Sequence, residues 1–291
     1  MLRIEGIYTA LVTPFANGTL DESRLRSLIA KQIDAGIHGV VIAGTTGEGP
    51  VLDSDEWEQA VRIAVTERGS LKIIANAGTN NTMHSIEKAK IAEQLGADAI
   101  LVITPYYNKP TQNGMIRHFE AVANATKLPV MLYNVPSRTG CELLPDSCLT
   151  LLSTPNIVSI KQAVANLDRF TEIRQVVGNR WTILSGEDSL FLPMLGLGAD
   201  GIVSVLSNVA PNQFVRMYEA AKANRWQEAQ QLHYALYDLM RLLFIETSPA
   251  PVKAAMRMIG EDCGDVRLPL VPLSDGWIEP LRQALLKARE A

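Results

Sequence analysis

Short runs of strand-forming apolar residues alternate with segments of helical period along most of this 291-residue chain. The first run is IYTALV at 7–12, and Leu25, Leu28 and Ile29 then share one face of a helix. Seven further strands are predicted, near 40–44, 72–77, 98–103, 129–133, 157–161, 181–185 and 200–204. The pattern therefore predicts eight strands, with helices between them.

Three predicted helices end in the same way. Gly36, Gly96 and Gly198 each stand a few residues before a predicted strand. Glycine is common directly after a helix because it adopts the left-handed backbone conformation without strain. We interpret these segments as a weak internal repeat. Asp53 and Glu56 form the pattern of a capping box, so GTTGEGPVL before them is predicted to be a strand-to-helix loop.

Eight strand-helix units within about 220 residues favour an α/β fold of the (β/α)8 TIM barrel type, which takes roughly 250 residues. An open dinucleotide-binding sheet is disfavoured because no GxGxxG follows the first predicted strand. The remaining sequence is helical, with Leu232, Leu236 and Leu239 on one helix face. We predict a barrel over 1–225 and a C-terminal helical extension over 226–291.

Composition narrows the class of function. The formal charge of −4, with basic residues scattered along the chain, argues against a nucleic-acid or membrane surface. Neither the 3 cysteines nor the 4 histidines show metal-ligand spacing, so no metal site is predicted. No apolar run reaches the roughly 18 residues of a membrane span, and the first residues lack signal-peptide features. We expect a cytoplasmic protein that acts on small molecules.

Lys161 ends an apolar strand in PNIVSIKQAVAN, where an ammonium group is costly to bury. By itself this stretch leaves two alternatives open, a structural ion pair or a nucleophile. In a barrel the loops after the strands form the active face, so the residues directly after each strand are candidates for the site. These residues are Thr45, Thr46, Tyr106, Tyr107, Tyr133, Asn134, Arg138 and Gly186. Their convergence around one lysine favours a catalytic Lys161.

The residue types suit Schiff-base chemistry. A lysine amine attacks a carbonyl only when neutral, and an apolar strand environment favours the neutral form. Tyrosine and threonine hydroxyls transfer protons, Thr45 and Thr46 suit a keto acid's carboxylate, and Arg138 suits a second carboxylate. Each also has a structural alternative: threonines that satisfy turn backbone, tyrosines that pack at an interface, and an ordinary surface arginine.

Five motifs occur in the order and spacing of the dihydrodipicolinate synthase / N-acetylneuraminate lyase family. The motifs are GTTGE (44–48), TPYYNKP (104–110), YNVPSRTG (133–140), IKQA around Lys161, and LSGED (184–188). The chain resembles this family over nearly its whole length, and the set is specific although no single motif is. VPSRTG resembles the branch whose arginine binds the carboxylate of aspartate semialdehyde.

The resemblance implies a role for each residue. Lys161 would form the Schiff base with pyruvate, and Tyr133 would be the main proton-transfer group. Thr45 and Tyr107 would complete a hydroxyl relay, with Tyr107 reaching in from a neighbouring subunit. The implied substrate contacts are Thr46 for the pyruvate carboxylate, Arg138 for L-aspartate 4-semialdehyde, and backbone groups of Gly186 and Val203. The resemblance implies a lyase without metal or organic cofactor and a homotetramer built as a dimer of tight dimers.

The chain departs from the family pattern after its lysine. The family usually follows its lysine with an acidic residue and then a small Ser/Thr-Gly pair, whereas this chain has Gln162, Ala163, Val164 and Ala165. We expect the loss of a counter-charge and added bulk near the second substrate. Two alternatives therefore stay open: another pyruvate-dependent aldolase, acting on a 2-keto-3-deoxy sugar acid or 4-hydroxy-2-oxoglutarate, and a barrel that binds keto acids without turnover.

Feedback inhibition by lysine is expected to be weak or absent. In sensitive family members the lysine site uses an asparagine, matched by Asn80, and a glutamate where His84 stands. It also uses histidines where Ser54 and Trp57 stand. Without the carboxylate, a lysine ammonium loses a charge-assisted partner.

Overall fold

The computed structural model describes residues 3–290. Eight parallel strands close into a barrel, and the two remaining strands form a short antiparallel pair. The strands are β1 (Gly6–Ala10), β2 (Phe15–Ala16), β3 (Thr19–Leu20), β4 (Gly39–Ile42), β5 (Lys72–Asn76), β6 (Ala99–Ile103), β7 (Val130–Asn134), β8 (Ile157–Gln162), β9 (Thr182–Ser185) and β10 (Gly201–Ser204). The barrel consists of β1 and β4 to β10, so the predicted (β/α)8 fold is confirmed.

Helices occupy the segments between the barrel strands and the C-terminal part of the chain. They are α1 (Glu22–Asp34), α2 (Ser54–Glu67), α3 (Thr82–Leu95), α4 (Gln112–Ala123), α5 (Pro136–Thr139), α6 (Pro145–Leu151), α7 (Leu167–Val177), α8 (Phe191–Gly196), α9 (Pro211–Lys222), α10 (Trp226–Leu242), α11 (Ala250–Met258) and α12 (Ile278–Arg289). The C-terminal helices are confirmed, whereas the boundary between residues 225 and 226 stays a prediction. Among residues 3–290, no helix is both long enough and apolar enough to cross a bilayer.

The chain divides into two compact units. One consists of Lys72–Val203 with the segment that ends at Gly6, and the other consists of Ile7–Leu71 with the segment that begins at Ser204. In the first unit, β6 and β7 are almost entirely buried, as expected of parallel strands covered on both faces. In the second unit, α1 packs against α2, and α10 packs against both α9 and α12.

Local signals in the sequence are confirmed. Gly36, Gly96 and Gly198 have φ angles of 74°, 85° and 90°, in the left-handed region that glycine adopts without strain. Asp53 accepts from the backbone of Glu56 and Glu56 from that of Asp53, which completes the predicted capping box.

His118 of α4 is buried between α4 and the start of α3. Its Nδ1 lies 3.0 Å from the Thr82 hydroxyl, and its Nε2 is buried without a hydrogen-bond partner in the described part of the chain. Burial lowers the pKa of His118 from 6.5 to about 4, because an imidazolium there would lose its hydration.

The unfolding free energy should fall as the pH drops from about 6.5 to about 4. In this window the unfolded state takes up a proton on His118 that the folded state does not. Each pH unit therefore lowers the free energy of unfolding by about 1.4 kcal/mol. His118→Gln should reduce that slope in urea titrations at several pH values. The same change at exposed His84 is the control, and equal slopes for both variants would contradict the prediction.

Candidate active site

Lys161 and Tyr133 lie opposite one another on neighbouring strands. The register of β7 and β8 pairs Tyr133 with Lys161, and Asn134 with Gln162. Lys161 Nζ lies over the Tyr133 ring, 4.1 Å from its centroid. Both side chains are buried, with 7% of Lys161 and 5% of Tyr133 exposed. The predicted nucleophile and the predicted proton-transfer group are therefore neighbours in a site with little water.

The next residues along the two strands form a buried polar cluster. Asn134 Nδ2 donates to Gln162 Oε1 at 3.1 Å, and both side chains are fully buried. Asn134 also accepts from the Leu143 N–H at 3.0 Å and donates to the Leu143 carbonyl at 3.2 Å. Successive strand residues point to opposite faces of a sheet. Gln162 therefore faces away from Lys161, and the expected loss of a counter-charge at this position does not act directly on the lysine.

The Asn134 to Leu143 bonds close the loop that carries Arg138. Within it, α5 is one short turn, and the Thr139 hydroxyl contacts the backbone carbonyl oxygens of Val135 and Cys141 at 3.2 and 2.8 Å. Arg138 itself is exposed. The loop backbone is thus held in place while the guanidinium stays accessible to a ligand.

Gly186 packs directly on the Lys161 strand. Its N–H donates to the Gln162 carbonyl at 2.8 Å. A Cβ at this position would lie 2.6 Å from Ala163 Cβ and 3.1 Å from Lys161 Cε, so a side chain would collide with Ala163 and crowd the end of the lysine. The absence of a side chain lets the turn after β9 approach the lysine. Val203, the other predicted lining residue, is buried in β10.

Glu187 belongs to the same group of charges, although it was not among the predicted site residues. Burial raises the pKa of its carboxyl group, as does the nearby Asp188, while the charges of Lys161 and Arg138 oppose the rise. A carboxyl group whose charge interacts with Lys161 therefore lies in the turn after β9 and not at position 162. The LSGED motif held this signal, since its acidic pair directly follows a strand end.

Tyr107 is separate from this cluster within the single chain. It is 89% exposed and has a φ angle of 72°, which is unusual for a residue with a side chain. The backbone thus presents the ring outward.

Thr45 and Thr46 lie together in the other unit, in the tight turn after β4. Thr46 is buried and Thr45 is half-buried. The turn is closed by bonds from the Glu48 N–H to the Thr45 carbonyl and from the Gly49 N–H to the Gly44 carbonyl, at 3.1 and 3.0 Å. Two hydroxyls on one ordered turn suit recognition of a carboxylate.

Metal-binding geometry is absent from the described residues. No group of three or more His, Cys, Asp and Glu side chains among residues 3–290 is placed to hold an ion.

Burial raises the pKa of the Cys148 thiol to about 12, so this cysteine remains protonated and unreactive at neutral pH.

Asn134→Leu should unfold more easily and loosen the Arg138 loop. The change leaves the Leu143 N–H and carbonyl without their partner, and a buried unpaired group costs about 1–3 kcal/mol. Hydrogen exchange should show faster exchange at Leu143, and urea titration should show a loss of about 2 kcal/mol or more. Exposed Asn124→Leu is the control. Unchanged Leu143 exchange in the Asn134 variant would contradict this role.

Comparison with known proteins identifies the family of this chain. The sequence profile described as the dihydrodipicolinate synthetase family matches residues 3–288. The 4-hydroxy-tetrahydrodipicolinate synthase of Thermomicrobium roseum is 44% identical over 286 residues, which cover 98% of this chain and 94% of the relative.

Solved structures show the same relationship. The 4-hydroxy-tetrahydrodipicolinate synthase of Methylacidiphilum fumariolicum superposes with a TM-score of 0.97 at 41% identity and covers 99% of this chain and 97% of its own. The dihydrodipicolinate synthase of Acinetobacter baumannii, solved with pyruvate bound, has a TM-score of 0.95 at 39% identity, over 98% of this chain and 99% of its own. These matches, together with the buried lysine and tyrosine, establish that the chain belongs to the dihydrodipicolinate synthetase family.

Proposed function

We propose that this protein is a lyase that condenses pyruvate with L-aspartate 4-semialdehyde to form 4-hydroxytetrahydrodipicolinate, in lysine and diaminopimelate biosynthesis. The observation that carries the proposal is the buried Lys161 amine against the Tyr133 ring, 4.1 Å from its centroid. The relatives at 41–44% identity carry the name of this synthase, which supports this activity over the sugar-acid aldolase and over a barrel without turnover.

The reaction begins at Lys161. Its neutral amine attacks C2 of pyruvate, and loss of water from the resulting carbinolamine leaves an imine. Loss of a proton from the pyruvate methyl group then gives an enamine, which attacks the aldehyde carbon of the second substrate. The amino group of that substrate finally attacks C2 and releases Lys161, which closes the ring.

Proton transfer is assigned to hydroxyl groups. Tyr133 is the main donor and acceptor at the pyruvate C2 oxygen, and Thr45 and Tyr107 complete the relay. The exposure of Tyr107 supports its action in the site of a neighbouring subunit, in a homotetramer built as a dimer of tight dimers. The proposed enzyme needs no organic cofactor and works in the cytoplasm.

Substrate binding is divided between the two carboxylates. Thr46 binds the pyruvate carboxylate through the turn after β4, and backbone groups of Gly186 and Val203 line the pyruvate pocket. Arg138 binds the semialdehyde carboxylate, for which an accessible guanidinium on a tethered loop is well suited.

Borohydride reduction tests the proposed function. Incubation with pyruvate and borohydride should add one three-carbon unit, visible by intact mass, because reduction of the imine makes the bond permanent. Peptide mapping should place the adduct on Lys161. Lys253, which is also buried, is an internal control for lysine modification without catalysis. No adduct on Lys161 in a folded sample would refute the proposal.

Arg138→Ala should mainly raise the KM for aspartate semialdehyde. The change removes a bidentate partner of the second carboxylate, worth about 1.5–3 kcal/mol or roughly 10- to 100-fold. Trapping of pyruvate on Lys161 should continue unchanged. Exposed Arg180→Ala is a suitable control, and a wild-type KM for the semialdehyde in the Arg138 variant would remove this residue from substrate binding.

Lysine should inhibit weakly or not at all. His84 is exposed and carries no carboxylate for a lysine ammonium, and Trp57 is buried in α2. A steady-state assay with lysine measures this directly. Half-maximal inhibition at submillimolar lysine would contradict the expectation, and His84→Glu is the variant that should strengthen inhibition.

A further inference from the structure

Glu48 is a buried charged residue in the same turn as Thr45 and Thr46, two positions after Thr46. Only 3% of its surface is exposed, and its backbone is left-handed, with a φ angle of 54°. A non-glycine residue rarely adopts this conformation unless its surroundings hold it there. The contacts of the Glu48 side chain therefore fix the conformation of this turn.

Lys253 of α11 pairs with Glu48. The Lys253 Nζ and Glu48 Oε1 are 2.7 Å apart, and both side chains are almost fully buried. Lys253 Nζ also lies over the ring of Phe15, 4.4 Å from its centroid, and donates to the Asp265 carbonyl at 3.2 Å. Burial lowers the pKa of Lys253, and the charge and hydrogen bonding of Glu48 oppose that fall.

The second carboxylate oxygen is held by the segment after α11. The Arg267 N–H donates to Glu48 Oε2 at 2.8 Å. The Arg267 guanidinium forms a fork with both oxygens of Glu56, at 2.6 and 2.5 Å, and packs on the Phe15 ring. The C-terminal segment thereby contacts the turn at Glu48 and the start of the helix that follows it.

The turn has little room to move on its other side. A Cβ at Gly47 would lie 2.9 Å from the Leu11 carbonyl oxygen, and one at Gly49 would lie 2.0 Å from the Ala43 carbonyl oxygen. The Thr13 hydroxyl donates to the Gly47 carbonyl at 2.6 Å. The backbone of the turn is thus packed against the chain on one side and held by the ion pair on the other.

We propose that the Glu48–Lys253 ion pair, supported by the Arg267 backbone, is a positioning device that sets the Thr45 and Thr46 hydroxyls for the pyruvate carboxylate. The inference rests on the proposed function, since it concerns how that function's pyruvate site is held. It gives the C-terminal helix α11 a part in substrate affinity, although none of its residues is a predicted site residue. Glu48 and Lys253 act through the turn and are positioning residues.

The test is a variant that carries both Glu48→Gln and Lys253→Met. Removing both charges avoids an unpaired buried ion, which would confound the result. The readout is the pyruvate concentration that gives half-maximal borohydride trapping on Lys161. We expect it to rise about tenfold or more, because small displacements of substrate-positioning groups have effects of this size. The KM for the semialdehyde should stay within about twofold, since its carboxylate is assigned to Arg138.

A matched pair variant controls for general loss of ion pairs. Arg24 and Glu261 are 2.7 Å apart and join α1 to the segment after α11. Arg24→Met with Glu261→Gln should leave the half-saturating pyruvate concentration unchanged. If the Glu48–Lys253 variant does not fold, Glu48→Asp is measured instead. This change keeps the negative charge but shortens the side chain by one methylene group. It should also raise the half-saturating pyruvate concentration.

The outcomes separate two failures. In the first case, wild-type protein traps pyruvate on Lys161, and a folded Glu48 variant has the same half-saturating pyruvate concentration. That result would overturn the positioning role and leave the proposed function intact. An equal rise in the Arg24–Glu261 control would also overturn it, since the effect would then be general. Wild-type protein without an adduct would overturn the proposed function and this inference with it.

Discussion

The pairing of β7 with β8 is the contact on which the site depends. Main-chain bonds between neighbouring parallel strands set Tyr133 opposite Lys161 on one face and Asn134 opposite Gln162 on the other. A shift of one residue would turn the lysine to the opposite face. The Asn134–Gln162 hydrogen bond therefore stabilises, on one face of the sheet, the alignment that the chemistry needs on the other. The same asparagine tethers the loop that carries Arg138.

The two lysines that are buried among residues 3–290 differ in their partners. Lys253 has a carboxylate at 2.7 Å, and the pair is a structural element. Lys161 Nζ instead lies over an aromatic ring, and the carboxyl of Glu187 acts on it through charge alone. The Lys253 amine is thus engaged by a carboxylate, whereas the Lys161 amine lies against an aromatic ring. This difference between the partners supports the proposed role of Lys161 as the nucleophile.

Much of the fold and part of the site could be predicted from local sequence. Strand periodicity, the glycines after helices and the Asp53 capping box are properties of short segments, and the structure confirms them. Lys161 could be predicted as a candidate because it ends an apolar strand. The Glu48–Lys253 pair could not be found in this way, because its members are far apart in sequence and only the folded chain brings them together. The direction in which Gln162 faces could not be predicted from its motif, because it follows from the pairing of β7 with β8.

The proposed chemistry is tested most directly by a crystal structure of the protein after reduction with pyruvate and borohydride. We expect continuous electron density from Lys161 Nζ to C2 of the former pyruvate, with the adduct carboxylate hydrogen-bonded to the Thr45–Thr46 turn and the Tyr133 hydroxyl next to C2. Density that joins another lysine, or a carboxylate bound away from that turn, would contradict it.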